Sequence, residues 1–341
     1  MNKRRITTFP FLVVAVLLSF SSCIKQSAIK PSIYYWKTTF DPSREEVAEI
    51  KAAGIEKLYL HFFDVKFEQN AVVPVAKLHM ETFLPDSMEM VPVVYITNEA
   101  IQETEEGDTD TLAYYITKLI FSISENNHLA FKEIQIDCDW TDGTRVKYFK
   151  LLQSLKSISR KEISCTIRLH QVKYKEKTGI PPADRGMLMF YNMGNLRDLK
   201  TTNSIFDKTT AEKYLERGLD YPLPLDLALA CFGWEVVIRQ GKVVALLNEP
   251  VADSLIQQNT KSVSEHLHQV STGFLHQGVW FQAGDIIRSE QSGYKEMKMA
   301  TELLTDRLKT TTFNCAFYHW HNDFFHELDS NKIQAVLAPL R

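Results

Sequence analysis

Short apolar runs alternate with amphipathic stretches along most of the chain. Eight runs read as strands: residues 32–36, 57–65, 90–97, 133–140, 163–171, 186–192, 225–237 and 314–321. Helical patterns fit between several of them. Ser43 and Glu46 have the spacing of a capping box ahead of Val47 and Ile50, and Gly54 supplies a stop. Leu112, Tyr115, Ile116, Leu119, Ile120 and Ile123 recur with a 3.6-residue period, as do Val146, Phe149, Leu152, Leu155 and Ile158. Eight strands with helices between them predict an α/β fold, a single (β/α)8 TIM barrel over residues 31–341. A doubly wound sheet fits less well, because residues 36–41 hold no Gly-rich phosphate turn after the first strand. Beyond the seventh strand, residues 236–247 read as a β-hairpin turning at Gln240-Gly241. It opens an insertion, about 236–312, expected to add helix and loop over one mouth of the barrel. His266, His268 and His276 are expected there on a surface helix.

Strand periodicity sorts side chains to two faces. In residues 133–139 the apolar parity is Ile134, Ile136 and Cys138, which leaves Glu133, Gln135, Asp137 and Asp139 for the barrel interior. In residues 163–170 the interior set is Ser164, Thr166, Arg168 and His170. The same rule turns Tyr59 and His61, Phe232 and Trp234, and Tyr318 and Trp320 inward. Active sites of such barrels form at the C-terminal strand ends. Carboxylates and aromatic rings gather there, as sugar chemistry requires: acids and bases for the glycosidic bond, flat apolar faces for the pyranose. The expected catalytic set is Asp137 and Asp139, with Glu235 as a second carboxylate from the opposite wall. Trp36, His61, Tyr95, Trp140, Arg168, His170, Tyr191, Asn192, Trp234 and Trp320 are expected to bind substrate.

Asp137 and Asp139 are two residues apart on one strand, so their Cα atoms lie about 6.5 Å apart on the same face. Proximity of like charges raises one pKa. Arg168, one strand over, is expected to pair with Asp137 and leave Asp139 as proton donor. The same residues also fit a plain Asp137–Arg168 bridge with Asp139 capping the following helix. No metal or cofactor is expected; His319, His321 and Asp323 form a weaker alternative metal set.

The N-terminus carries an address. Lys3, Arg4 and Arg5 precede an apolar run, residues 9–20, too short to span a bilayer. It ends in Phe20-Ser21-Ser22-Cys23, which resembles the lipobox of bacterial lipoproteins. That resemblance implies a signal peptide over 1–22, lipidation of Cys23, a tether over 23–30, and a lipid-anchored protein of the bacterial cell envelope, on the outer membrane. Outside the cytoplasm disulfides are permitted, yet Cys138, Cys165, Cys231 and Cys315 each sit in a separate apolar run and are expected to be buried thiols. Charge is balanced, with 39 Lys+Arg against 42 Asp+Glu, which argues against nucleic acid as a partner.

Residues 134–141, Ile-Gln-Ile-Asp-Cys-Asp-Trp-Thr, resemble the fourth-strand signature of chitinase-like glycoside hydrolases, Asp-x-Asp-x-Glu. Asp137, Asp139 and Trp140 occupy matching positions. Thr141 stands where that family has its proton-donating Glu, so the family's mechanism does not carry over. The chain as a whole is similar to a family of bacterial TIM-barrel lipoproteins and secreted proteins with no established activity. Residues 136–145 and 187–194 carry that likeness. Two functions follow as expectations: a glycoside hydrolase-like lipoprotein acting on an envelope or environmental glycan, or an inactive glycan-binding lipoprotein of an uptake or assembly system.

Overall fold

Each of the eight expected runs contributes one parallel strand to a ring that closes on itself: β1 (Ala28–Tyr35), β2 (Lys57–Glu68), β3 (Glu89–Ile96), β4 (Glu133–Asp137), β5 (Glu162–Arg168), β6 (Arg185–Met189), β7 (Leu225–Ala230) and β8 (Thr312–Tyr318). The seventh run is divided, and Phe232–Arg239 joins the inserted sheet instead of extending β7. β1 pairs with β8 on one side (Ile33 opposite Phe317) and with β2 on the other (Tyr34 opposite Tyr59), which shuts the ring. Closure leaves no unpaired edge in the barrel. This computed structural model describes residues 28–341 except 86, 87, 217, 249, 306, 309–311, 322, 323 and 325–327. The signal segment, Cys23 and Asp323 lie outside the described residues.

Helices α1 (Arg44–Ala52), α2 (Thr109–Asn126), α3 (Arg145–Ser159), α4 (Lys208–Leu215), α5 (Tyr294–Leu304) and α6 (Ser330–Leu337) cover the outside. The main core lies between them and the outward strand residues, among them Leu58, Leu60, Ile134, Ile136, Ile163 and Ile167. At α1 the capping box is complete: Ser43 Oγ accepts from the Glu46 N–H (3.1 Å), and the Glu46 carboxylate accepts from the Ser43 N–H (2.8 Å). In α3 the buried stripe is Tyr148, Leu151, Leu152 and Leu155, while Val146 and Ile158 face solvent. The stripe is thus rotated from the expected one, because the large ring of Tyr148 stacks on Trp140 at the core (5.1 Å between centroids). Between β2 and β3 the chain makes a strand, Ala71–Val75, antiparallel to the outer half of β2, and no helix among the described residues. Nor is any described helix long and apolar enough to cross a membrane.

The insertion holds the expected hairpin, Phe232–Arg239 with Lys242–Leu247, and a helix, Asp253–Asn259. Gln240 and Gly241 both have positive φ (50° and 73°), as the tight hairpin turn demands. Most of the remainder is strand. Thr260–Ser264, Leu267–Val270 and Ile286–Ser292 complete a five-stranded antiparallel sheet with its own core of Val237, Leu247, Phe281 and Ile287. His268 and His276 therefore sit on strands and not on a helix.

The base of the barrel interior is polar and paired. Lys57 reaches Glu133 (2.7 Å), Ser164 donates to Glu133 (2.5 Å), and Arg185 holds Asp226 (2.7 Å). Above this layer Tyr34 donates to Gln135 (2.5 Å). The polar parity of β4 and β5 does face inward, and its groups are satisfied by one another, as burial requires. Cys138, Cys165, Cys231 and Cys315 are all buried, each in its own strand or strand end.

Candidate functional site

Strand register decides which acid meets the arginine. Ile136 lies opposite Cys165, so Asp137 is level with Thr166, and two residues further on Asp139 is level with Arg168. Asp137 is buried and accepts from Thr166 Oγ1 (2.6 Å). Asp139 stands at the rim, half exposed, and its two oxygens accept from Arg168 Nε (2.5 Å) and Nη2 (3.2 Å). The expected Asp137–Arg168 pairing is therefore replaced by Asp139–Arg168. Burial pushes the Asp137 carboxyl above its ordinary value, and the Asp139 charge adds to this; the Arg168 charge pulls the other way without cancelling it. The surroundings of the inner aspartate thus favour its protonated form. Thr141, at the position of the resembled family's Glu, takes part in the turn into α3: its N–H donates to Thr144 Oγ1 (2.9 Å), whose hydroxyl donates to Asn98 (2.6 Å).

Beside the Asp139–Arg168 pair opens a groove of about 380 Å³, lined by Thr141, His170, Tyr191, Asn192, Met193 and Tyr214 as well. His170 lies in the first turn of a short helix, Leu169–Lys173, rather than ending the strand. Burial lowers its pKa from the ordinary value. Along the mouth a second wall is aromatic. Trp36, Phe232, Trp234 and Tyr318 are half-buried against the interior cluster of Tyr34, Tyr59 and Tyr191. Trp36 meets Tyr318 at 5.4 Å between ring centroids, Tyr318 stacks on Tyr191 at 5.4 Å, and Phe232 meets Trp234 at 5.4 Å. Trp234 is held from behind: its Nε1 donates to Glu290 (2.8 Å). Glu290 also accepts from the Ser204 N–H (2.8 Å) and pairs with Arg288 (2.6 Å), whose other nitrogens donate to the Leu196 and Asp198 carbonyls. This buried group ties the insertion to the loop that follows Asn192.

β2 contributes through a bulge. His61 lies opposite Val93 and Phe63 opposite Val94, so Phe62 is an extra residue. Phe62 and Phe63 both enter the outer core. After that shift the alternation resumes with Asp64 on the inner face, where His61 Nε2 meets Asp64 Oδ1 at 2.7 Å. Residues i and i+3 of a regular strand point to opposite faces; the bulge brings these two together. Asp64 also pairs with Lys66 (3.0 Å), and these neighbours pull its pKa down against its own burial. Tyr95, opposite Asp137 at the end of β3, has its hydroxyl pushed up to about 12 by burial and by the Asp137 and Asp139 charges.

Three expected residues are placed elsewhere. Trp320 is 2% exposed in the outer core, its ring against Tyr35 (5.4 Å) and its Nε1 donating to Glu46 (3.3 Å). β8 ends at Tyr318, so strand alternation no longer governs position 320. Trp140 borders the groove, but its ring stacks on Tyr148 and its Nε1 donates to the Thr178 carbonyl (3.1 Å). Glu235 follows Trp234 on one strand and so faces the opposite side of the inserted sheet, where it accepts from Ser289 (2.7 Å). It does not join Asp137 and Asp139. Tyr34, Asp64, Thr166, Phe232 and Tyr318, absent from the expected binding set, do belong to the mouth and its floor. The inward parity read for Phe232 and Tyr318 was the signal that could have included them. His319 is half-buried near Phe232 (6.3 Å between ring centroids). Burial brings its pKa down to about 4. Among the described residues no three His, Cys, Asp or Glu side chains gather as a metal site.

No family model matches the chain, and no curated protein matches it in sequence. Solved structures match it in shape. A chitinase from Chromobacterium violaceum ATCC 12472 has a TM-score of 0.50 at 11% identity, over 92% of this chain and 99% of that one. The spore cortex-lytic enzyme SleL of Bacillus megaterium QM B1551 has 0.53 at 10%, over 93% and 74%. A Group IV chitinase of Ostrinia furnacalis has 0.51 at 10%, over 92% and 100%. At these identities the likeness shows the fold alone, an eight-stranded parallel barrel with helices outside.

Proposed function

We propose that the protein is a glycan-binding barrel of the bacterial cell envelope, holding carbohydrate at its mouth without cleaving it. One observation carries this reading. Beside an open groove, Asp139 commits both carboxylate oxygens to Arg168, and Thr141 occupies the position of the missing acid. Cleavage of a glycosidic bond needs one carboxylic acid to protonate the leaving oxygen and a second carboxylate as base or nucleophile. Glu235 faces away, so Asp137 is left without such a partner among the residues expected to be catalytic. Binding asks less: flat apolar faces and a few convergent polar groups. Trp36, Tyr318, Phe232 and Trp234 supply the first, and Arg168, His170 and Asn192 the second.

Lipidation at Cys23 supplies the envelope location in this reading. The tether enters β1 at its N-terminal end, opposite the mouth, so an anchored barrel would turn its groove away from the membrane. The fold neighbours are named for chitin and for spore cortex, which makes these the first materials to test. Calorimetry of the full chain in detergent against chitotetraose and solubilised cortex fragments is expected to show binding, with no new reducing ends after prolonged incubation. Hydrolysis of any of them would overturn the reading.

A hydrolytic reading rests on Asp137, whose raised pKa suits a group that holds a proton at the mouth. On that reading turnover is measurable in the wild type and abolished by Asp137→Asn.

A further inference from the structure

His61 carries a polar atom that the fold leaves without a partner. Its side chain is 3% exposed, and Nδ1 has no hydrogen-bond partner. The other ring nitrogen is fixed. Asp64 can only accept, so Nε2 carries the proton and donates to it across 2.7 Å. In the neutral ring Nδ1 is then a bare acceptor. It belongs to the interior face, since Tyr59, two residues before it, lies in the interior cluster. The imidazole also leans on Trp36, with 4.9 Å between ring centroids. A buried acceptor left unpaired loses its solvation without compensation. A strand bulge has been spent on building this pair, and bulges of this kind re-aim side chains beside functional sites.

We propose that His61 is a ligand anchor: with its tautomer fixed by Asp64, Nδ1 accepts a hydrogen bond from a sugar hydroxyl while the sugar's flat face lies on Trp36. This rests on the glycan-binding reading and adds to it a specific donor–acceptor contact. Asp64 is the positioning residue, and Lys66 steadies Asp64 from the far side. The anchor lies at the end of β2, whereas the groove beside Asp139 lies past the ends of β4 and β5, so one oligosaccharide would cross the mouth between them.

The test uses the full chain labelled with nitrogen-15 histidine, the His61 signals being assigned by their loss in His61→Phe. In the free protein Nε2 is expected protonated and Nδ1 bare. Chitotetraose, cellotetraose and maltotetraose serve as probes. Saturation with the one that is retained should move the Nδ1 resonance to lower frequency, as an accepted hydrogen bond does. His61→Phe should weaken that probe about tenfold, whereas His61→Gln, which restores an acceptor, should recover part of the loss. Circular dichroism of both variants confirms that the barrel is folded. A protonated Nδ1 in the free protein overturns the proposal. So does an Nδ1 signal that stays put while the probe saturates, or a His61→Phe variant that binds like the wild type; the glycan-binding reading would survive these. Retention of no probe, cortex fragments included, overturns both.

Discussion

Burial sets the chemistry of Asp137, and its sign can be read from stability. Desolvation raises the folded-state pKa above the ordinary 3.8. The contribution of Asp137 to stability is therefore fully present below that ordinary value and is lost as pH rises through the folded value. Asp137→Asn removes the buried charge while keeping an acceptor for Thr166. It is expected to raise the melting temperature at pH 7, with the gap over wild type closing below about pH 4. His319 has the opposite sign. Its pKa falls from 6.5 to about 4 through burial, so its contribution is intact above 6.5 and is lost as pH falls toward 4. Urea midpoints of His319→Phe should accordingly decline less than those of the wild type between pH 6.5 and 4. At this scale the sequence showed that Asp137, Asp139 and Arg168 face inward. It could not show which acid meets the guanidinium, because that depends on the pairing of two strands about thirty residues apart.

The eight strands were legible because each alternates or runs apolar over its length, and the capping box at Ser43 because its spacing is local. Ser43→Ala is expected to cost about 1 kcal/mol in denaturant unfolding, the usual loss of an N-cap. Strand ends were harder to read. Position 320 follows the parity of Tyr318 only if β8 continues, and it does not, so Trp320 turns outward. The bulge at Phe62 was hidden in a run of apolar residues that fits either register. The insertion's attachment was also hidden, since Arg288 and Glu290 look like surface charges in sequence. Their side chains are fully buried, and Arg288 holds the loop after Asn192 through two carbonyls. Arg288→Met leaves Glu290 as an unpaired buried charge and those carbonyls unsatisfied. It is expected to destabilise the protein by about 3–5 kcal/mol, measured by denaturant unfolding.

For the whole molecule, parallel strands separate two ends. The base is a closed set of ion pairs around Lys57, Glu133, Arg185 and Asp226, built for stability. The mouth keeps an open groove, a half-buried aromatic wall and an unpaired imidazole nitrogen. On the lipid-anchored reading proposed above, the tether would lead into β1 at the base. Cys23→Ser is expected to move the protein from the membrane fraction to the soluble fraction of its bacterial host, and the wild-type N-terminal peptide should carry a lipid mass. An anchor so placed would leave the mouth free to meet the polymer proposed as its ligand.

Titration calorimetry of the intact protein with chitotetraose and cortex fragments, run beside an assay for released reducing ends, tests the central claim most directly. Heat of binding that saturates while no reducing ends accumulate is the predicted result. Release of product at a rate that Asp137→Asn abolishes would contradict it.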